Sequence, residues 1–308
     1  MNVGAVYLDQ GVDAGAPWHY GDPLREQKLL AGGEAVVDLS HRPVFAVAGP
    51  DRLEWLHALT TQRFGSLAPG ERTSAYILDP QGRIEHVFAG HDDGETFWAH
   101  TEPGRLEGLL GWLQRMVFAS RVEVRDASET HAVIERVDGT HIVPRDGLEG
   151  ALGEVRAGVW ASEALRIAAG RPRAFLDTDD KTIPNEVMRQ VGSDRLGDHV
   201  HLEKGCYRGQ ETVARVHTLG RPPRRLTLLH IDGSTNHLPG VGEPVMMGER
   251  AVGRLGTTAH HHELGPIGLA LVKRNVPVTE TLVVDGVAAS QEVLVDPDVG
   301  LHVRPRLG

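Results

Sequence analysis

One cysteine, Cys206, stands in the run Lys204-Gly205-Cys206-Tyr207-Arg208-Gly209-Gln210-Glu211-Thr212-Val213-Ala214-Arg215, and it is the only thiol of the chain. From Lys204 to Arg225 six basic residues (Lys204, Arg208, Arg215, Arg221, Arg224, Arg225) face the single acid Glu211. Cations near a thiol favour the thiolate, the form that attacks electrophiles and binds metals. Gly205 and Gly209 suit a backbone that turns and comes close to a ligand. The plain alternative is a loop around an inert cysteine with a solvated basic rim. One thiol cannot form an internal disulfide, nor fill a four-thiolate zinc or cluster site by itself. No metal site is therefore assigned, and Cys206 is left as a nucleophile, a redox partner or a ligand shared with another chain.

His260-His261-His262-Glu263 is the most metal-like run, but neighbouring strand residues point to opposite faces and do not converge on one ion. With Gly265-Pro266 following, it reads as an exposed turn. Arg166, among Leu165, Ile167 and Ala168, reads as half of a structural ion pair. Trp55, Trp98, Trp112 and Trp160 read as core residues.

These groups must be held by something. A length of 308 residues allows roughly two domains. Hydrophobic residues at 40% and charged residues at 24% give the balance of a soluble globular protein. No stretch approaches the roughly 20 apolar residues that cross a bilayer, and Asp9 and Asp13 interrupt any secretory pattern at the N-terminus. The expected location is cytoplasmic. A formal charge of −10 argues against nonspecific coating of nucleic acid.

After an irregular lead-in of about twenty residues, strand-like runs are expected at Ala35–Leu39 and Val44–Val47. Asp51 can N-cap a helix through Ala58. Ser74–Leu78 and Arg83–Ala89 form a hairpin around Asp79-Pro80-Gln81-Gly82. Leu106, Leu109, Leu110, Leu113 and Met116 recur at helical spacing, with Pro103 expected in the first turn. Arg121–Val124 and His131–Val137 are strand candidates, and Ser162–Ala169 a helix closed by Gly170. The rhythm is that of ferredoxin-like α+β units. Beyond Pro222-Pro223, short β runs (Leu226–Ile231, Pro244–Met247, Val252–Leu255, Ile267–Val272, Thr281–Val284, Val293–Val295) alternate with turns. They predict an antiparallel barrel or sandwich of roughly 85 residues. The expected division is 1–220 and 221–308.

The Lys-Gly-Cys-Tyr-x-Gly-Gln-Glu run followed by Ala214-Arg215 resembles the signature of the YgfZ branch of the glycine-cleavage T-protein superfamily. The likeness extends to Asp38-Leu39-Ser40, Val47, Gly49 and Trp55-Leu56, to Leu165-Arg166-Ile167 with Gly170 and Pro172, and to Ile183-Pro184-Asn185-Glu186. It implies an α+β fold of two ferredoxin-like subdomains, interleaved or sequential, plus a small antiparallel β-barrel around a folate pocket. It implies that Glu186 grips the pterin ring of a tetrahydrofolate, with Lys204, Gly205, Tyr207, Gln210 and Arg215 as further folate-binding positions. A carboxylate suits the first role, since it accepts two parallel hydrogen bonds from a ring N–H and an exocyclic amine. Without the resemblance, Glu186 is an ordinary acid at a helix start. Arg221, Arg224 and Arg225 could meet the anionic tail of a folate or a partner protein ahead of RNA.

T-proteins place an essential aspartate just past the glycine of the early hairpin. Here Gly82-Arg83-Ile84-Glu85-His86 stands there, with both residues expected on an exposed strand face. Glutamate reaches one methylene further, and a misplacement of about 1 Å can cost a factor of about 100 in rate. The resemblance thus implies loss of aminomethyl transfer and a folate-binding accessory of iron–sulfur cluster assembly or repair, with clients that include tRNA-modifying enzymes. A T-protein-like aminomethyltransferase or demethylase and a folate-free scaffold are the alternatives.

Overall fold

A computed structural model describes residues 4–235 and 237–301. The chain divides into two compact units. The first runs up to Ile77 and includes His86–Glu163; the second joins Leu78–Glu85 to the chain from Ala164 onward.

The first unit is built on a five-stranded antiparallel sheet in the order Arg72–Leu78, Ile84–Asp92, Thr96–His100, Val44–Ala48, Glu123–Asp126. Its apolar face meets the helices Arg52–Leu59 and Leu106–Arg115, and the core there gathers Phe45, Val47, Trp55, Phe64, Phe88, Phe97, Leu109, Trp112 and Leu113. Leu106, Leu109 and Leu113 meet that core because their spacing puts them on one helical face. The helix starts at Leu106, so Pro103 precedes it instead of occupying its first turn. Asp51 flanks the other helix without a side-chain cap bond; its carboxylate instead takes the backbone N–H and guanidinium of Arg121.

A four-stranded sheet follows the order Gly139–Pro144, His131–Arg136, Val36–Asp38, Arg156–Ala157, and its last pair is parallel. The lead-in, expected to be irregular, contains two short paired strands. Val6–Tyr7 pairs with Pro17–His19, and Asp22 caps the helix Pro23–Ala31. The buried Glu26 carboxylate accepts from the N–H groups of Tyr20, Asp22 and Gly158. Trp18 stacks on Trp160 at 5.2 Å. A side chain at Gly158 would collide with the Trp18 carbonyl, which is why glycine stands there.

In the second unit a closed barrel runs in the order Arg224–Ile231, Gly265–Lys273, Arg250–His261, Pro244–Met247, Leu282–Val284, Val287–Val293. Alternating inward residues, among them Leu229, Ile231, Val245, Leu255, Ala270, Val272, Leu282 and Val284, fill it. Arg250–His261 extends well past the expected Val252–Leu255 and ends on the first two histidines of the metal-like run. His261 is buried there and accepts the N–H groups of Glu263 and Leu264, so the expected exposed turn begins only after it. The expected pair at Arg166 is present: Arg166 Nη1 donates to Asp177 Oδ2 at 2.9 Å. Asp177 also accepts from the N–H groups of Arg173 and Thr257, so its buried charge is well compensated. Between Ala164 and the barrel lie the short helix Pro184–Val187, a three-stranded ribbon, and the helix Gln210–Leu219. Among the described residues no helix is long and apolar enough to cross a membrane.

Candidate functional site

The turn of the early hairpin and the cysteine loop meet in the second unit. Asp79 Oδ1 accepts the N–H groups of Gln81 and Arg83, shaping a tight turn in which Gly82 has φ +83°. Gly209, at φ +80°, precedes the helix Gln210–Leu219. The two glycines are each other's reason. A Cβ on Gly209 would lie 2.5 Å from the Asp79 carbonyl oxygen and 2.9 Å from Gly82 Cα, and one on Gly82 would lie 2.7 Å from Thr212 Cβ. Gly209 thus permits the close approach of another backbone, where the sequence suggested that of a ligand.

That contact brings Glu85 beside the signature. Arg208 Nη1 donates to Glu85 Oε2 at 2.9 Å, and Ile84 N–H donates to the Thr182 carbonyl at 2.9 Å. Glu85 is exposed as expected, whereas the ring of His86 lies 6.3 Å from that of Trp112 and is partly covered. The two residues therefore do not share an exposed face, because strand neighbours alternate.

Cys206 is exposed, as is Gly205. Lys204 and Tyr207 are buried, with Lys204 Nζ 5.1 Å from the Tyr207 ring centre. Burial pulls the Lys204 ammonium down to about 8 and pushes the Tyr207 phenol up. Gln210 opens the helix half-buried, and Arg215 lies exposed on it.

Glu186 lies in the short helix Pro184–Val187 and is fully buried. Its Oε1 accepts from Arg224 Nε at 2.8 Å, and its Oε2 from Arg224 Nη2 at 2.8 Å and from the Ile183 N–H at 3.1 Å. Arg224 also holds Asp179, with Nη1 to Oδ2 at 2.6 Å and Nη2 to Oδ1 at 3.1 Å. Burial alone would raise the Asp179 carboxyl, but hydrogen bonds from Arg224 and Thr182 hold it well below the usual carboxylate range. Burial likewise works against the charge of Arg224, and its two carboxylates overcome it. Beside Glu186, Asn185 is buried; its Nδ2 donates to the Val213 carbonyl at 3.3 Å while its Oδ1 has no partner.

The six-cation collar read from the sequence is therefore partly spent on structure. Arg224 serves Glu186 and Asp179, and Arg208 serves Glu85. Arg225 is fully buried and donates to the carbonyls of Lys273, Arg274 and Val276 and to Gln291 Oε1. Neither Arg224 nor Arg225 is an exposed cation offered to a folate tail, a partner or a phosphate. That inward use was invisible in a run of basic letters, as was the role of Asn185. In the first unit a surface groove of about 510 Å³ is lined by Leu106, Glu107, Leu110, Gly111, Gln114 and Asp126, none of them a residue singled out for chemistry.

Residues 3–139 match the family model of the GCVT N-terminal domain. Over 296 residues the chain is 24% identical to a chloroplastic protein of Arabidopsis thaliana that carries a transferase name, covering 79% of this chain and 66% of that one. It is 26% identical over 223 residues to the mitochondrial iron-sulfur cluster assembly factor IBA57 homolog of Mycosarcoma maydis, covering 61% of this chain and 55% of that one. The chain thus spans between about half and two thirds of the length of these curated relatives. Among solved structures, the glycine cleavage system aminomethyltransferase T from Bartonella henselae superposes with a TM-score of 0.74 at 17% identity, covering 98% of this chain and 96% of that one. That is a likeness of fold. The family-model match is confined to residues 3–139, under half of the chain.

Proposed function

We propose that the chain is a cytoplasmic, YgfZ-type tetrahydrofolate-binding accessory protein that supports iron–sulfur cluster assembly or repair in client enzymes, tRNA-modifying enzymes among them. The observation that carries the reading is the seating of the hairpin turn against the cysteine loop. Gly82 and Gly209 interlock, Arg208 pairs with Glu85, and Cys206 is left exposed beside them. Similarity to an iron-sulfur cluster assembly factor homolog supports the same direction. Two ferredoxin-like subdomains ahead of the barrel belong to this proposal.

The chain's own groups suit a ring rich in N–H donors. Asp179 and Glu186 set two carboxylates against one guanidinium, and Asn185 Oδ1 adds a buried acceptor. Glu186 would hold the ring edge, and Lys204, Gly205, Tyr207, Gln210 and Arg215 would line the remaining ligand. Bound there, a reduced folate would supply one-carbon or reducing chemistry. Cys206 is the functional thiol, as a nucleophile, a redox partner or a transient cluster ligand completed by donors of another chain.

The pairing of Arg208 with Glu85 bears on the transferase alternative. To act as a base, Glu85 would have to give up the contact of its Oε2 with Arg208 Nη1. Titration with tetrahydrofolate should saturate, and Cys206→Ala should fail to restore iron–sulfur enzyme activity in a deficient strain. Absence of saturable binding removes the ligand, and full complementation removes the thiol. Folate-dependent ammonia release from an aminomethyl-lipoyl donor, lost in Glu85→Ala, would favour the transferase instead.

A further inference from the structure

We infer that Arg224 is an internal competitor for the place of a ring on Glu186, and that a ligand's ring is accepted only when Arg224 withdraws to Asp179. The inference rests on the folate reading above. Arg224 offers Glu186 two parallel donors from one flat, delocalised group, Nε–H and Nη2–H, each at 2.8 Å. A 2-amino-4-oxo pyrimidine edge offers a carboxylate the same pattern, a ring N–H beside an exocyclic amine. A carboxylate has about four lone-pair sites. Arg224 and the Ile183 N–H already use three of those on Glu186. One site cannot take a two-point contact, so the ring and the guanidinium exclude one another.

Arg224 can leave without stranding its charge. It already makes two bonds to Asp179, at 2.6 and 3.1 Å, and a third contact to Thr182 Oγ1 at 3.2 Å. Glu186 would then be a buried carboxylate without its cation, the state a donor-rich ligand edge compensates. The surroundings are set for donors and against anions. Asn185 Oδ1 is a buried acceptor without a partner on the same short helix, and its amide cannot simply turn over, because that would set Oδ1 against the Val213 carbonyl. A phosphate or carboxylate ligand has nothing to gain at this cluster; an aminopyrimidine-type edge does.

Calorimetric titration of the full chain with tetrahydrofolate under anaerobic conditions tests this with wild type, Arg224→Gln and Asp179→Asn. Removing the competitor should tighten binding about tenfold or more, since a hydrogen-bonded charge contact is relieved. Tetrahydrofolate should also raise the Tm of Arg224→Gln more than that of wild type. Asp179→Asn should weaken binding, because Arg224 loses its second partner. Binding by Arg224→Gln that is equal to or weaker than that of wild type overturns the inference and leaves the folate reading standing. No binding by either wild type or Arg224→Gln overturns both. If Arg224→Gln does not fold, Asp179→Asn decides alone, and unchanged or tighter binding refutes the competitor.

Discussion

The glycine at position 209 has the sharpest demand of any residue in the signature. Its φ of +80° lies where an L side chain is strained, and its missing Cβ makes room for the Asp79 carbonyl oxygen. Strain and collision add, so Gly209→Ala should destabilise the second unit by about 2 kcal/mol or more. Chemical denaturation reads this directly, and a loss under about 0.5 kcal/mol would mean that the turn and the loop do not interlock. The Arg208–Glu85 pair beside them is a different matter. Both side chains are more than a third exposed, so the pair is worth little for stability, in the range of about 0.2–1 kcal/mol. A double-mutant cycle on Arg208→Ala and Glu85→Ala should give a coupling in that range, and a larger value would show the pair shielded from solvent. The letters Lys-Gly-Cys-Tyr-x-Gly-Gln-Glu made this segment stand out. They did not say that Gly209 answers to Gly82, a residue 127 positions away in sequence.

At the scale of elements, short apolar runs set between Gly and Pro turns made the barrel legible, Pro244–Met247 among them. Its longest strand was read short for a reason that is physical. Gly256 looks like a turn residue and stands just past the expected run, yet it continues the strand, and at Gly253 and Gly256 alike other chain segments press on it. A Cβ at Gly253 would lie 2.5 Å from the Leu271 carbonyl oxygen, and one at Gly256 would lie 2.2 Å from Asp177 Oδ1. Long-range approach, which no local pattern encodes, chose glycine at both. The helix Gln210–Leu219 escaped notice because its burial is narrow, with Val213 its only fully covered residue. Arg225 shows the same gap between letters and packing. It holds the carbonyls of Lys273, Arg274 and Val276 together at the mouth of two strands, in a fully buried position. Arg225→Met keeps the stem and removes every donor, taking this partner from the buried Val276 carbonyl and from Gln291 Oε1. The expected cost is about 3 kcal/mol or more, read as a lower urea midpoint. A loss below about 1 kcal/mol would mean that solvent reaches the Val276 carbonyl.

For the molecule as a whole, the two units can be watched separately because of where its chromophores fall. Trp18, Trp55, Trp98, Trp112 and Trp160 all belong to the first unit, so tryptophan emission reports that unit alone. The same unit holds His100, buried with Nε2 3.0 Å from Thr140 Oγ1. Burial first, then the charge of Arg42, pushes its pKa down to about 3. In the unfolded chain the imidazole takes a proton below about 6.5, whereas the folded unit refuses it until about 3. The unfolded state therefore binds more protons throughout that window, and stability falls as the pH is lowered through it. Between pH 7 and pH 5 the loss from this one ring is about 2 kcal/mol. Urea unfolding followed by tryptophan emission should show a lower midpoint at pH 5 than at pH 7, and His100→Gln should flatten that dependence whatever it does to stability at pH 7. Equal pH slopes in the two proteins would mean that His100 gains its proton in the folded unit as readily as in water, and that the first unit opens to solvent around it.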